Sequence, residues 1–501
     1  MLELVTPTCM YLRGYQDRLA QVRANLTYTD KQVEWALRGH IKGQRWFVKY
    51  NGEAAYREKL AELQAAKEKC LLFDDDDDHG PYTYTGLRQR LESAFDDTSH
   101  VRYTLPYPKL VPWEKIPDHE PRYYQLAAKT ELLNHAAAGP CGVEMGTGLG
   151  KSFIIELLLK DIGLPAVIMS PSVNIAKQIH RDLLKHFGKA RVGFFGDGKK
   201  QLGKLFTVGV AASLKNVEIG TPAWDQFREA KIFIADESHM CPAATLSDVC
   251  FGLMAHVPYR FFFSGTQMRA DGKDLLLNAI TGPIVYTMTV QEGVDQGFLA
   301  KPQFRMIWCD SNVRDRGQLY ESDDANDMTR AHVFYNPEII SKAAEVANKA
   351  VSLMGRPTVI MIEEYEQLQK LIPHLRYDFR FAHGSLTKES KKFVPEKYWD
   401  DDPTDLVDQF NRGEFPILIG TSCITTGTDI QKVKLLINLR GGKSEVELRQ
   451  ITGRGTRKIP GKEDCVYVDF GIRNVPMLEK HAKERVKIYK DIYPNYQEIQ
   501  Q

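Results

Sequence analysis

Two short stretches carry residue types arranged for phosphate chemistry. Residues 145–152 read MGTGLGKS and residues 236–239 read DESH. In the first, Gly146, Gly148 and Gly150, interleaved with Thr147 and Leu149, let the backbone turn tightly and aim its N–H groups at phosphate oxygens. Lys151 adds a mobile positive charge for the β- and γ-phosphates, and the Ser152 hydroxyl suits a Mg²⁺ ion. The strict phosphate-loop pattern has glycine where Met145 stands, and a plain strand-to-helix turn would use the same glycines. The apolar run ending in Asp236 and Glu237 favours the phosphate reading. Asp236 suits Mg²⁺ held through water, and Glu237 suits the orientation or deprotonation of an attacking water. His239 reads either as a coupling residue or as a satisfied surface histidine.

Such residues need strands that end at them. From residue 110 onward apolar runs alternate with amphipathic helical stretches. The runs are 166–169, 232–235 and 261–263, then 359–362, 417–419, 435–437 and 466–468. Short, nearly continuous apolar strands separated by helices predict α/β architecture with parallel sheets covered on both faces. The two sets are divided by residues 292–304, EGVDQGFLAKPQF, which read as a hinge with a boundary near Pro302.

The first hundred residues differ in texture. Residues 53–70 read as one charged helix with Tyr56, Leu60, Leu63 and Cys70 on a stripe. A second helix is expected from near Gly86, with Leu87, Leu91 and Phe95 inward. Between them stand five aspartates, Asp74 to Asp78. As a calcium loop they lack the required glycine and distal glutamate, since His79 and Thr85 occupy those offsets, so a solvated acidic turn is expected. The expected domains are an accessory domain over 1–110, two sheet domains over 111–302 and 303–480, and a C-terminal helix and tail over 481–501.

At 501 residues the chain is long enough for several domains, and 43% hydrophobic with 26% charged residues is the balance of a soluble globular protein. No uninterrupted apolar stretch is long enough to span a membrane, and the N-terminus lacks a secretory pattern. The eight scattered cysteines form no CxxC pair, which fits a reducing, cytoplasmic setting. A net charge of +1 means that any polyanion must be held by local patches.

Taken in order, MGTGLGKS, DESH, SGT (Ser264, Gly265, Thr266) and QITGRGTR (residues 450–457) resemble the motifs of superfamily 2 helicases and translocases of the DExH branch. The resemblance covers about residues 121–470. It implies two RecA-like domains in tandem, preceded by a small α+β accessory domain, with ATP and Mg²⁺ as cofactors. An apolar residue at Met145 is common in that family. Arg122 and Gln125 resemble the adenine-side motif, with Gln125 on the base edge. Pro171 and Ser172, then Ser213, resemble strand-tracking motifs of the first domain; His383, Gly384, Thr421 and Ser422 resemble those of the second. Gly427 and Asp429 resemble the motif that touches nucleotide and strand together. Ser264 and Thr266 would relay nucleotide state, with His239 in a coupling role. Gln450, Arg454 and Arg457 would reach the nucleotide across the interdomain cleft, the arginines at the γ-phosphate, so that hydrolysis opens the cleft. The alternative for each arginine is a surface pair with a carboxylate.

Further basic candidates for strand contact are Lys199, Lys200, Lys204 and Lys215. The helix over 477–492 carries Lys480, Lys483, Arg485, Lys487 and Lys490, while its Leu478, Ala482, Arg485 and Tyr489 equally suit a packing face. Within the superfamily the chain is most similar to phage UvsW-type helicases and their XPB- and RecG-related cousins. That implies a DNA helicase or translocase, monomeric, moving 3′→5′ and remodelling branched DNA or RNA–DNA hybrids in recombination, repair or replication. Its partners would be DNA and replication or recombination proteins, and its setting the host cytoplasm. Three other readings stand beside it: the motor of a restriction system, an RNA helicase, and an ATP-gated clamp that binds DNA without unwinding. Little chain remains after the motor for a nuclease, which weighs against the first.

Overall fold

Apolar runs become strands wherever helices flank them. The computed structural model describes residues 3–4, 7–12, 15–73, 80–95, 120–265, 273–311, 325–424, 430–442 and 444–499. The aspartate run 74–78, Thr266, Gly427 and Asp429 lie outside the described residues. The chain divides into two compact units, one of Met1–Glu144 with Lys151–Thr287 and one of Met145–Gly150 with Met288–Gln501.

The first sheet has eight strands in the order Ile284–Met288, Cys141–Met145, Tyr259–Ser264, Ile232–Asp236, Ala166–Ser170, Phe206–Val210, Val192–Gly196 and Lys199–Lys200. The central pairs are parallel, and Ile232–Asp236 and Tyr259–Ser264 are buried along their whole length. Burial on both faces is why these strands read as unbroken apolar runs. Parallel direction sets Met145, Ser170, Val210, Asp236 and Ser264 at the carboxyl ends of their strands, the edge where open α/β sheets bind ligands.

The N-terminal region forms a three-stranded antiparallel sheet of Glu3–Leu4, Cys9–Tyr11 and Tyr82–Tyr84. Its Met10, Leu87 and Leu91 share a core with Leu275 and Ala279 of the helix Asp274–Thr281. Tyr84 stacks on Phe251 with ring centroids 4.0 Å apart. A Cβ at Gly86 would overlap the backbone carbonyls of Asn278 and Ala279, so glycine is required at this approach. The helix expected over 53–70 is Gln44–Lys67, and Glu68–Cys70 pairs instead as a strand with Thr27–Thr29. The helical stripe is real as far as Leu63, but antiparallel pairing claims the end of the run. The helix expected near Gly86 starts with a 3-10 turn and continues as Arg88–Phe95, with Leu87 and Leu91 buried as expected.

The second sheet has the order Phe379–Ala382, Ile417–Gly420, Thr358–Met361, Leu435–Asn438, Asp464–Ile472, Lys301–Cys309 and Tyr496–Ile499, parallel throughout. Both parallel-sheet units thus have the α/β architecture of tandem RecA-like domains. The segment read as a hinge is ordered. Thr289 and Glu292 form a capping box that starts the helix Val290–Asp295, and Lys301–Cys309 follows as a nine-residue strand. Pro302 sits in that strand beside Asp464–Ile472 alone, because pairing with Tyr496–Ile499 starts at Phe304; its missing N–H therefore costs no ladder bond. In the helix Pro476–Ile492, Leu478, Ala482, Arg485 and Tyr489 are buried, so this stripe packs.

Candidate nucleotide and nucleic-acid sites

The phosphate loop starts where the strand Cys141–Met145 stops and ends where the helix Lys151–Ile162 begins. Met145 is fully buried, which suits an apolar residue at the position where the strict pattern has glycine. Gly148 and Gly150 adopt φ of 92° and 80°, a region that favours glycine. Gly146 is required for another reason: a Cβ there would stand 2.7 Å from Val290 Cγ2. The expected cradle of amides is only partly available. Gly146 N–H donates to Met288 O at 2.9 Å and Leu149 N–H to Gly146 O at 3.3 Å. Among the described residues no hydrogen bond occupies the amides of Thr147, Gly148 or Gly150. Lys151 and Ser152 are half-buried in the first turn of a twelve-residue helix, whose N-terminus favours anions.

At the end of the strand Ile232–Asp236 the backbone is strained. Asp236 is 7% exposed, and Glu237 is held at φ 52°, ψ 47°, a left-handed conformation that glutamate rarely adopts. His239 Nδ1 lies 2.9 Å from Ser264 Oγ and 3.4 Å from Glu237 Oε2. Ser264 pairs in register with Glu144, directly before the phosphate loop. His239 therefore links half-buried Glu237 to buried Ser264 across the ends of two neighbouring strands, and the histidine is itself buried, not a surface residue. On the phosphate-loop helix, Glu156 is buried against His186 with Oε2 3.0 Å from Nε2. Burial raises its pKa, and His186 opposes that rise.

Arg122 and Gln125 cap the helix Tyr123–His135. Arg122 N–H donates to Gln125 Oε1 at 2.9 Å, and the Arg122 guanidinium donates to Tyr124 Oη at 2.9 Å. Gln125 is buried and its amide oxygen serves the cap.

Pro171 and Ser172 follow the strand Ala166–Ser170, and Ser213 and Lys215 follow the adjacent strand Phe206–Val210. All four thus stand beyond two neighbouring carboxyl ends. Ser172 Oγ accepts from Ile175 N–H as the cap of Val173–Phe187. Lys215 is tied to Asp248, Nζ to Oδ2 2.7 Å.

The second unit repeats this pattern. His383 and Gly384 follow Phe379–Ala382, and Thr421 and Ser422 follow its neighbour Ile417–Gly420. Gly384 and Ser422 are exposed, whereas His383 is buried with Nε2 2.7 Å from Tyr398 O and Nδ1 against Gly384 O. Gln450 and Arg454 lie one turn apart on the helix Glu445–Gly455, and Arg457 follows its end. In this unit the helix end meets the loop Met145–Gly150. A Cβ at Gly453 would overlap the Thr147 side chain, Thr456 Oγ1 lies 3.5 Å from Thr147 O, and a Cβ at Gly148 would lie 3.6 Å from Arg457 Cγ. Val290 and Leu299, which also wall the loop, carry no motif; only the T-x-x-E box at Thr289 could have flagged them.

Two family models match the chain: the DEAD/DEAH box helicase model over residues 122–274 and the helicase conserved C-terminal domain over 342–458. The protein named "Putative helicase 22" of Sulfolobus islandicus filamentous virus (isolate Iceland/Hveragerdi) is 21% identical over 96% of this chain and 89% of its own length. The DNA 3'-5' translocase XPB2 of Sulfurisphaera tokodaii is 23% identical over 75% of this chain and 87% of its own. Among solved structures, S. cerevisiae Dbp5 bound to RNA and ADP BeF3 superposes with a TM-score of 0.51 at 15% identity, covering 76% of this chain and 90% of that one, a likeness of fold.

Proposed function

Because this chain belongs to the DEAD/DEAH-box helicases of superfamily 2, ATP-dependent enzymes that act on nucleic acid, we propose that it is a DNA motor that remodels branched DNA or RNA–DNA hybrids. The observation that carries the catalytic part is Glu237, held in a left-handed conformation beside Asp236 and in contact with His239, whose ring also meets Ser264. Strain of this kind costs about 1–3 kcal/mol and persists only where the surroundings impose it, which is the mark of a functional position.

In this reading the amides of Thr147, Gly148 and Gly150 and the Lys151 ammonium bind the phosphates. Ser152 and Asp236 fit a hard divalent cation, being oxygen donors of the kind Mg²⁺ takes together with phosphates and water. Bound there, Mg²⁺ would neutralise charge on the phosphate oxygens. Glu237 positions the attacking water and accepts its proton. His239 transmits the state of Glu237 to Ser264. Gln450, Arg454 and Arg457, on and beyond the helix that meets the phosphate loop, stabilise charge on the terminal phosphate, and the bases stay outside this chemistry. Pro171, Ser172, Ser213, His383, Gly384, Thr421 and Ser422 mark where a strand would run, along the carboxyl ends of neighbouring strands in each sheet. Backbone and hydroxyl contacts there grip phosphates without a high net charge. His383 acts in this scheme by shaping the loop, since its ring faces carbonyl oxygens.

DNA is favoured over RNA by the relative from Sulfurisphaera tokodaii, which is named a DNA 3'-5' translocase. The test is ATPase stimulation by single strand, duplex, fork, four-way junction and RNA–DNA hybrid, beside strand displacement on the fork. Turnover is expected to be highest on branched substrates. Lys151→Ala should lower it by at least about 10²-fold with the fold intact, the scale of losing one preorganised electrostatic group. Wild-type turnover in that variant sinks the catalytic assignment. Turnover without displacement turns the reading toward a clamp or pure translocase.

A further inference from the structure

The helices Lys31–Lys42 and Gln44–Lys67 form a hairpin turned at Gly43, and the second is broken by Gly52 at φ 84°. The inward side of this hairpin is already filled. His40 stacks on Tyr56 with centroids 4.5 Å apart and meets Phe47 edge-on at 4.7 Å, and His40 Nε2 lies 3.1 Å from Tyr56 O. Three further large aromatics take no part in that core. Trp35 is 58% exposed, Trp46 66% and Tyr50 63%. Trp46 and Tyr50 share a helix face with rings 4.9 Å apart, and Lys49 Nζ lies 5.4 Å from the Tyr50 ring. Beside Trp46 opens an apolar groove of about 400 Å³ floored by Gly39, Gly43 and Phe47.

The charge around these rings is as uneven as their exposure. Residues 31–50 hold Lys31, Arg38, Lys42, Arg45 and Lys49 against the single carboxylate Glu34. Glu34 pairs with Arg38 at 2.9 Å, and among the described residues Lys31, Lys42, Arg45 and Lys49 carry no ion pair. Beyond Gly52 the same helix behaves as an ordinary solvated face, with Arg57 on Glu53 and Lys59 on Glu62. A chain with net charge +1 has therefore concentrated unmatched cations in the short segment that carries these exposed aromatics. The base of the hairpin is fixed: Asp30, 2% exposed, caps the first helix and lies 3.4 Å from Lys69 Nζ and 3.7 Å from Lys273 Nζ.

From this juxtaposition we infer that the hairpin is a docking surface for a single nucleic-acid strand, whose bases stack on Trp35, Trp46 and Tyr50 while its phosphates meet Lys42, Arg45 and Lys49. The inference rests on the motor's acting on nucleic acid and adds a second contact region, outside both parallel sheets. Flat rings with unmatched cations between them are the chemistry of sequence-tolerant single-strand binding. A duplex hides its base faces and would leave the rings unused. A protein partner would have to bring its own acidic face, and a second copy of this hairpin would set like charges together.

The test uses the full chain and a fluorescein-labelled oligo(dT), read by anisotropy without nucleotide over a KCl series. Trp46→Ala with Tyr50→Ala should weaken binding at least about 30-fold, from stacking losses of about 1–3 kcal/mol for each of two bases. Trp46→Phe should retain most of the affinity. Arg45→Glu with Lys49→Glu should weaken binding and flatten the salt slope by roughly 1.4, about 0.7 per phosphate contact. ATPase measured without nucleic acid should stay at wild type in every variant, because no altered residue touches the nucleotide site. Unchanged affinity and slope in both double variants overturns the inference, as does an oligomer that dissociates in the variants while strand binding persists. If wild-type protein binds the strand through these residues but hydrolyses no ATP on any substrate, the motor reading fails and this one stands.

Discussion

Two buried carboxylate regions follow opposite rules. At Asp236 and Glu237 the acids stand at a strand end, one on a left-handed backbone, with a histidine and a serine within reach. At Asp469, 2% exposed in the second sheet, the protein itself supplies every partner. Arg485 donates from Nε at 2.7 Å and from its guanidinium at 3.2 Å, Tyr489 Oη donates at 2.7 Å, and Phe470 N–H donates at 2.7 Å. Burial alone would lower the Arg485 pKa, yet Asp469 raises it above the ordinary guanidinium value. Burial and then Asp469 also hold the Tyr489 hydroxyl protonated far above its usual range. On the proposed function the first pair serves a ligand, whereas the single acid Asp469 is saturated by the protein's own donors. Activity and stability should therefore come apart when each is altered.

The largest expected effect is on turnover. Glu237→Gln keeps shape and burial but removes the proton acceptor, and should lower nucleic-acid-stimulated kcat about 10²–10⁴-fold. Its urea midpoint should stay at or slightly above that of the wild type. A large loss of stability would show that Glu237 is structural, and the contrast with Asp469 would vanish.

Next comes Arg485→Met, which strands Asp469 in the core and should cost about 3–5 kcal/mol of unfolding free energy. Turnover per folded molecule should be unchanged. Replacing both partners, Arg485→Met with Asp469→Leu, should recover much of the loss, since a buried pair adds little over good packing. A kcat defect in the folded Arg485→Met protein would mean that this network reaches the site.

The sequence was legible where chemistry fixes residue type. The glycines at 148 and 150 announce positive φ, and apolar runs such as 232–235 announce strands buried on both faces. Contacts made by ordinary residues were silent: nothing in Val290, Leu299 or Gly86 says what it touches. His239 was ambiguous because its role depends on Ser264, reached only through strand register. The end of the run 53–70 was misread because its helical period gives no sign that Thr27–Thr29 waits to pair with Glu68–Cys70. Trp46 and Tyr50 are silent for the opposite reason, since spacing reveals a shared face but not whether that face is covered.

Lys462 is the exception that sharpens the comparison, a buried cation in the second unit that, among the described residues, forms no ion pair with a carboxylate. It is 1% exposed, its Nζ donates to Gln431 O at 2.8 Å, and burial, with a further push from Arg457, lowers its pKa from 10.5 to about 8. Below about pH 8 both the folded and unfolded chains carry the proton, and the folded state bears the full penalty. Between about 8 and 10.5 the unfolded chain binds more protons, so wild-type stability from this group rises with pH. Lys462→Met should therefore stabilise the protein at pH 7 by ~2 kcal/mol, the desolvation relieved less the lost carbonyl hydrogen bond. That advantage should shrink as the pH is raised to 10. A constant advantage across the range would show that the gain is packing alone.

The smallest effect is the most discriminating. If the left-handed backbone at Glu237 is imposed by its surroundings, glycine should accept it without strain. Glu237→Gly should then gain stability despite deleting a side chain that contacts His239, by about 0.5–1 kcal/mol, the usual sign being the reverse in a well-packed region. Paired with Glu237→Gln, it separates the backbone from the carboxylate: both lose turnover, and only the glycine variant relaxes the strain. A destabilised Glu237→Gly protein would mean that the contact with His239 outweighs the strain, so that the acid helps to hold the fold and its difference from Asp469 is one of degree.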